Sequence, residues 1–374
     1  MKFVVSCNLL LSQLQTVGRV IASKNSIPIL DCFLFELSGN QLKITAADSE
    51  TRMITNIEVS EVKGEGVFAI PSKNLLDSLK ELPEQPIHFE INDDSLEVFI
   101  QYENGKYNFV AQKGDEYPQS KPLDENAAQL EMSADDLFAG ISRSLFASGD
   151  DELRPVMNGV FFDITPEELV FVASDGHKLV RFKNLTVTGN EKASFILPKK
   201  PANLLKSILP RAEGNVTIGF DTNNAYITMN SFIVVCRLIE GRYPNYNGVI
   251  PQNNPYKVVI DRLNFLNALK RVTVFSNSAS SLIKLNVSSN SIFISAQDID
   301  FSTSAEETVA CVYDGEDMSI GFKGTYLIEI LNNIPSEEVV LELADPSRAG
   351  LILPAENEEK EDLLMLLMPM MLND

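Results

Sequence analysis

Histidine is nearly absent: His88 and His177 are the only two in 374 residues. Proton relays at neutral pH draw first on imidazole, so this scarcity narrows the chemistry at once. His177 ends the stretch Ser174-Asp175-Gly176-His177, which sets three triad residue types in one row. Neighbours within one turn cannot form a relay, and no G-x-S-x-G elbow surrounds the serine. The four cysteines, Cys7, Cys32, Cys236 and Cys311, lie far apart with no C-x-x-C pair. That argues against zinc and for reduced, buried thiols in a cytoplasmic protein. No apolar run approaches the roughly 18 residues of a membrane span. The start, "MKFVVSC", imitates a lipoprotein signal, but its apolar core, Phe3-Val4-Val5, falls short of the ~7 residues needed. The glycines and lysine of "GEDMSIGFKGT" miss the phosphate-loop spacing. Asp298-Ile299-Asp300 lacks the third acid and the glycine of a calcium loop. The expectation is a non-enzyme with no metal, no cofactor and no membrane span. Positive charge is also short: 31 basic residues against 52 acidic give a net −21. Such a chain stays in solution and at first sight repels a polyanion.

What is present is a repeat. A length of 374 residues with 44% apolar content suits two or three folded domains. Three stretches share one order of events. The first runs "LKITAADSETRMI", "FAIPSKNLLDSLKEL", "IHFEINDDSLEVFI", "YNFVAQKGDEYP"; the second "LVFVASDGHKLVRF", "FILPKKPANLLKSIL", "VTIGFDTNNAYITM", "IVVCRLIEGRYPNY"; the third "IFISAQDIDFSTSA", "IGFKGTYLIEILNNI", "VVLELADPSRAGLIL", "LLMLLMPMML". Asp48 to Pro71 and Asp175 to Pro198 both span 23 residues, and Asp298 to Lys323 spans 25. The expected domains are 1–125, 126–254 and 255–374. Each opens with a helix, seen in Leu10/Leu14/Val17/Ile21, Leu137/Ile141/Leu145 and Leu266/Leu269/Val272, and carries a second around Leu75, Leu204 and Leu327. Period-two segments between them read as antiparallel strands, so the fold class is α+β.

The charge is segregated along this pattern. The six helical segments together carry +7, which leaves −28 on the rest of a chain of net −21. Either this is ordinary variation among amphipathic helices, or the helices line a basic surface that faces nucleic acid without gripping it. The end of the chain raises a second question. "LLMLLMPMML", residues 363–372, is uncharged and Met-rich. Leu363 to Leu367 read as the last strand of the third repeat, whereas Pro369 ends ladder pairing. Met368, Met370, Met371 and Leu372 are expected outside the ladder, as an adaptable docking surface.

A threefold two-helix antiparallel unit without catalytic groups resembles the bacterial DNA sliding clamp, the beta-subunit family of DNA polymerase III. The resemblance covers the whole chain. It is carried by "MKFVVSCNLLLSQLQTV", "SIPIL" (26–30), "MNGVFFD" (157–163), "VASDGHKLV" (172–180), "EGRYPNYNGVIP" (240–251) and "MPMML" (368–372), in order and at the right spacing. It implies a head-to-tail homodimeric ring around double-stranded DNA, helices inside and sheets outside, with no enzyme activity. Replicative polymerase, clamp loader and other clients would be the partners. The contact between copies would use Val274 and Phe275 on one side and Tyr107 and Phe109 on the other, positions that ordinary core packing also fits. Lys24, Lys73, Arg154, Lys199 and Lys200 would face DNA, or stand as plain surface charges. A client peptide with Leu and Phe anchors would enter a groove lined by Met157, Ser174, Gly176, His177, Lys178, Leu179, Pro244, Val249 and Ser347. Leu366, Met368, Pro369, Met370, Met371 and Leu372 would close one wall. Gly248 and Met371 stand where many members carry Arg, and Asn373 and Asp374 extend the end, so a more apolar groove is expected. The competing function is a peptide-binding scaffold of the same fold that never encircles DNA.

Overall fold

The structure, a computed structural model, describes residues 1–372; Asn373 and Asp374 lie outside it. Six α-helices form where apolar spacing placed them: α1 (Cys7–Val17), α2 (Ser72–Lys80), α3 (Ala134–Ser144), α4 (Lys199–Ile208), α5 (Arg262–Thr273) and α6 (Gly324–Asn332). Local chemistry starts two of them. The Ser6 hydroxyl accepts the Leu9 N–H at 3.2 Å, and Asp261 accepts that of Asn264 at 2.7 Å. Helices of this length are marginal alone, so burial of one face holds them. Leu10, Leu14 and Val17 of α1 are fully buried, as are Leu137 and Ile141 of α3 and Leu327, Ile330 and Leu331 of α6.

The chain packs as two compact units, Met1–Asp135 with Asn203–Leu238, and Asp136–Ala202 with residues from Ile239 onward. Packing divides the chain elsewhere than the repeats do, because each large sheet draws on two consecutive repeats. In the first unit a nine-stranded antiparallel sheet joins Thr51–Glu58 of the first repeat to Phe232–Arg237 of the second, with Thr51 opposite Cys236 and Thr55 opposite Phe232. In the second unit an eight-stranded sheet joins Lys178–Asn184 of the second repeat to Glu361–Leu367 of the third, with Lys178 opposite Leu367. Those two junctions match: each uses the same two strands of its repeats.

The remaining sheets are smaller. A five-stranded sheet in the first unit ends on Gly105–Val110, and a four-stranded sheet in the second ends on Thr303–Ala310. Both strands keep one side without a ladder partner among the described residues.

Phenylalanines fill much of the core. Phe162 stacks on Phe195 with centroids 4.4 Å apart, and Phe3 on Phe89 at 4.7 Å. Helix α3 approaches this layer through Gly140, where a Cβ would lie 2.3 Å from the Phe171 ring. Replacing a helical Gly by Ala ordinarily gains up to about 1 kcal/mol. Overpacking here outweighs that gain, and Gly140→Ala is expected to lower the stability by about 1–2 kcal/mol in urea denaturation. A gain in stability would show that the Phe171 ring moves aside freely.

Candidate functional site: the groove beside the C-terminal strand

The pairing of Lys178–Asn184 with Glu361–Leu367 builds a surface with two faces, because successive strand residues point to opposite sides. One face meets the helices and buries Val180, Phe182, Leu363, Met365 and Leu367. On the other, Leu179, Leu364 and Leu366 join Val170, Val172, Ile196, Leu351, Tyr243, Tyr246 and Ile250 in one apolar cluster. Tyr243 stacks on Phe161 at 4.6 Å. The Tyr246 hydroxyl donates to Asp163 at 2.8 Å, and burial, reinforced by that carboxylate, pushes its phenol well above the ordinary range. These two tyrosines are buried members of that cluster. Both stand in the stretch "RYPNY", where nothing in the residues alone sets them apart from ordinary core aromatics.

The turn 174–178 sets the rim. The Ser174 hydroxyl donates to the Lys178 carbonyl at 2.8 Å and accepts the Gly176 N–H at 3.1 Å. Asp175 accepts the N–H groups of His177 and Lys178 at 2.8 and 2.9 Å. Ser174 and Asp175 are thus engaged with the backbone, which gives the stretch its shape and no relay. Gly176 adopts φ +93, a conformation glycine tolerates best. A Cβ there would also fall 2.7 Å from the Arg154 guanidinium. His177 is exposed, and its carbonyl accepts the Met368 N–H at 2.8 Å.

The C-terminal segment lies beside this rim. Met368 and Met371 are 43% and 81% exposed, and Val249, beside Ile250 of the apolar cluster, is 58% exposed. The expectation that everything past Leu367 leaves the ladder needs one correction. The Met370 N–H donates to the Gly321 carbonyl at 2.8 Å in an isolated bridge, so the segment is tied on both sides of Pro369. Pro369 withholds only its own N–H. Met157 is half-buried, Pro244 and Ser347 are exposed, and the Ser347 hydroxyl donates to Asp345 at 2.6 Å.

Two further expected residues, Lys178 and Arg154, are placed as follows. Lys178 does not line the groove. It precedes Leu179 in a strand and so points to the helix face, where its ammonium lies 2.8 Å from Glu329, 3.2 Å from Asp175 and 4.0 Å from the centre of the Tyr326 ring. Burial alone would lower its pKa; Glu329 and Asp175 outweigh that and raise it. Arg154, expected among the DNA-facing cations, sits over Gly176 at the groove and pairs with Asp151 at 2.8 Å. A cation therefore stands beside the turn that was expected to form part of an apolar groove.

The chain's likeness to known proteins follows its repeats. Residues 1–121, 131–245 and 247–370 match the N-terminal, central and C-terminal domains of the DNA polymerase III beta subunit, in that order. The chain belongs to this family. Among its relatives is the beta sliding clamp of Pseudomonas putida, 26% identical over 368 residues, covering 98% of this chain and 99% of that one. That of Proteus mirabilis is 28% identical over 377 residues and covers both chains fully. The crystal structure of the Pseudomonas aeruginosa sliding clamp superposes over all of both chains with a TM-score of 0.94 at 25% identity. The Thermotoga maritima beta subunit gives 0.90 at 26%, again over all of both chains. With three domains of helices on antiparallel sheets, the α+β fold expected from the sequence is the family's fold.

The other expected family positions are placed as follows. Lys24, Lys73 and Lys200 are exposed, Lys73 and Lys200 in the first turns of α2 and α4. Lys199 pairs with Asp150 at 2.7 Å. Tyr107 and Phe109 are half-buried on the free-edged strand Gly105–Val110. Val274 and Phe275, directly after α5, are 77% and 41% exposed and so are not core. Among the described residues, no helix is long and apolar enough to cross a membrane.

The start of the C-terminal strand is held by charge. Arg143 of α3 lies 2.7 Å from Glu361 and 3.6 Å from Glu358, and 5.2 Å over the Phe182 ring. Burial raises the Glu361 carboxyl above its ordinary value; Arg143 opposes that shift, and Glu358 and Asp136 add to it. An acid with a raised folded pKa binds its proton more tightly when folded, so lowering pH through that pKa favours the folded state. Without Arg143 this dependence steepens. Arg143→Met is expected to lose about 2–3 kcal/mol at about pH 8, less than a fully buried pair because both ends keep some solvent. The deficit should shrink at about pH 5 as Glu361 protonates. Chemical denaturation at the two pH values measures it, and a pH-independent deficit would contradict the assignment.

Proposed function

We propose that two copies of this chain close head to tail into a ring around duplex DNA and hold a polymerase there by topology, as a non-enzymatic processivity factor in the cytoplasm. The observation that carries this reading is the internal symmetry of the junctions. At both internal junctions, the strand after the first hairpin turn of one repeat pairs with the last strand of the next. The same two strand types, Thr303–Ala310 of the third repeat and Gly105–Val110 of the first, are left with a free side. A second copy supplies the missing partner to each, and the contact is heterologous and closes.

The internal junctions also dictate the register. Thr51 opposite Cys236, and Lys178 opposite Leu367, translate to Thr303 opposite Phe109 and Ala305 opposite Tyr107 of the other copy. Val274 and Phe275 lie exposed at the end of α5, which packs on the Thr303–Ala310 strand. Domain limits of 1–125, 126–254 and 255–374 fit three units per copy. In such a ring the acidic majority of the chain faces outward and repels DNA, while Lys24, Lys73, Lys199 and Lys200 soften the helical lining. Clients such as the polymerase and a clamp loader dock a peptide in the groove between the 174–179 rim and Met368–Leu372. Its Leu and Phe anchors enter over Tyr243 and Tyr246, with Arg154 at the rim.

Retention after loading tests this. The protein is placed on nicked circular DNA by an active clamp loader, and the circle is then cut once at moderate salt. The expected result is stable retention on circles and loss through the cut ends. Equal, steeply salt-dependent retention on both forms would mean ordinary electrostatic binding. Retention on neither, with a loader proven on another clamp, would favour a peptide scaffold that never encircles DNA.

A further inference from the structure

The first internal junction carries a cleft. Arg19, in the turn that ends α1, and Arg211, in the turn that ends α4, converge on a cavity of ≈ 200 Å³ floored by Ile208, Met229 and Phe232. Neither guanidinium is paired with an acid among the described residues, in a chain with 52 acidic side chains against 31 basic. A cation near a helix C-terminus suits the helix dipole, which explains the charge of each residue. It does not explain why two such groups face one cavity.

The second junction acts as an internal control. There the helix-end cation Arg143 is answered from within the chain by Glu361 and Glu358. Registering the two junctions by their pairs, Cys236 opposite Thr51 and Leu367 opposite Lys178, sets Asn230 where Glu361 stands. The carboxylate that neutralises the second junction is thus replaced by an amide in the first, and that amide is engaged with the Glu213 carbonyl at 3.0 Å. The Thr16 and Ser207 hydroxyls at the wall donate to helix carbonyls at 2.8 and 2.7 Å. The two guanidiniums are left as the cleft's charged donors, and their planar forks match a phosphate.

We propose that this cleft binds a phosphate-class anion, specifically a backbone phosphodiester of the encircled duplex. The inference rests on the DNA-encircling function. It adds a discrete resting contact to a lining that otherwise only tolerates DNA.

The test is fluorescence anisotropy of a short labelled duplex across a salt series, on wild type and on the double variant Arg19→Gln/Arg211→Gln, with inorganic phosphate titrated in parallel. Both arginines are exposed, so the thermal midpoint is expected to hold. Duplex affinity should fall by about five- to tenfold at low salt, and the log–log salt slope by about 0.9, the share of one phosphate. Glu213→Gln, which removes the acid at the wall, should tighten binding. Unchanged duplex affinity and slope would overturn the proposal. So would loss of phosphate binding with duplex binding intact, since the anion would then be free phosphate. Topological retention of the wild type on closed circles is read separately. If it holds while the double variant binds duplex normally, the cleft assignment fails and the ring stands; if it fails, the ring itself is wrong.

Discussion

Antiparallel pairing between Lys178–Asn184 and Glu361–Leu367 is the constraint on which the site depends. It unites strands about 180 residues apart, a costly closure that the buried row Leu363 to Leu367 offsets. The same ladder sets Leu179 and Leu366 side by side on the groove face, turns Lys178 away toward Glu329, and delivers Met368 to the His177 carbonyl. A bare apolar chain end therefore does not fray. It is moored by a strand on one side of Pro369 and a single bridge on the other, leaving side chains exposed over a rigid floor.

Electrostatics follow the same economy. A chain of net −21 has acids to spare, and four cations around the C-terminal strand are answered internally: Lys178 by Glu329, Arg154 by Asp151, Arg181 by Asp362, Arg143 by Glu361. Exposed pairs such as Arg154–Asp151 contribute little stability, so their cations remain available to a partner.

Much of this was legible in the residues. Helical spacing located all six helices, and the alternating segments located the strands, because both signals are local. Sheet membership was not legible. Thr51–Glu58 and Phe232–Arg237 alternate like any half-buried strands, and nothing in either names its partner across the repeat boundary. Lys178 was misplaced because a motif assigns neighbours to one site, whereas a strand sends them to opposite faces. The place of Arg154 was not legible either: the resemblance set it among DNA-facing positions, and only the structure shows that the bare Gly176 backbone leaves room for its guanidinium. Tyr243 and Tyr246 were missed because buried aromatics look like core in any sequence.

The groove is best tested by removing its exposed wall and leaving the strand. The chain would be ended after Leu367, and binding of an extended peptide with Leu and Phe anchors measured by calorimetry beside a thermal melt. Loss of Met368 to Leu372 removes two backbone bonds and little buried area, so the melting temperature is expected to move slightly. Peptide affinity is expected to fall by at least about tenfold, or 1.4 kcal/mol. Unchanged affinity in a folded, truncated chain would contradict the account, because the exposed end would then be no part of the binding surface.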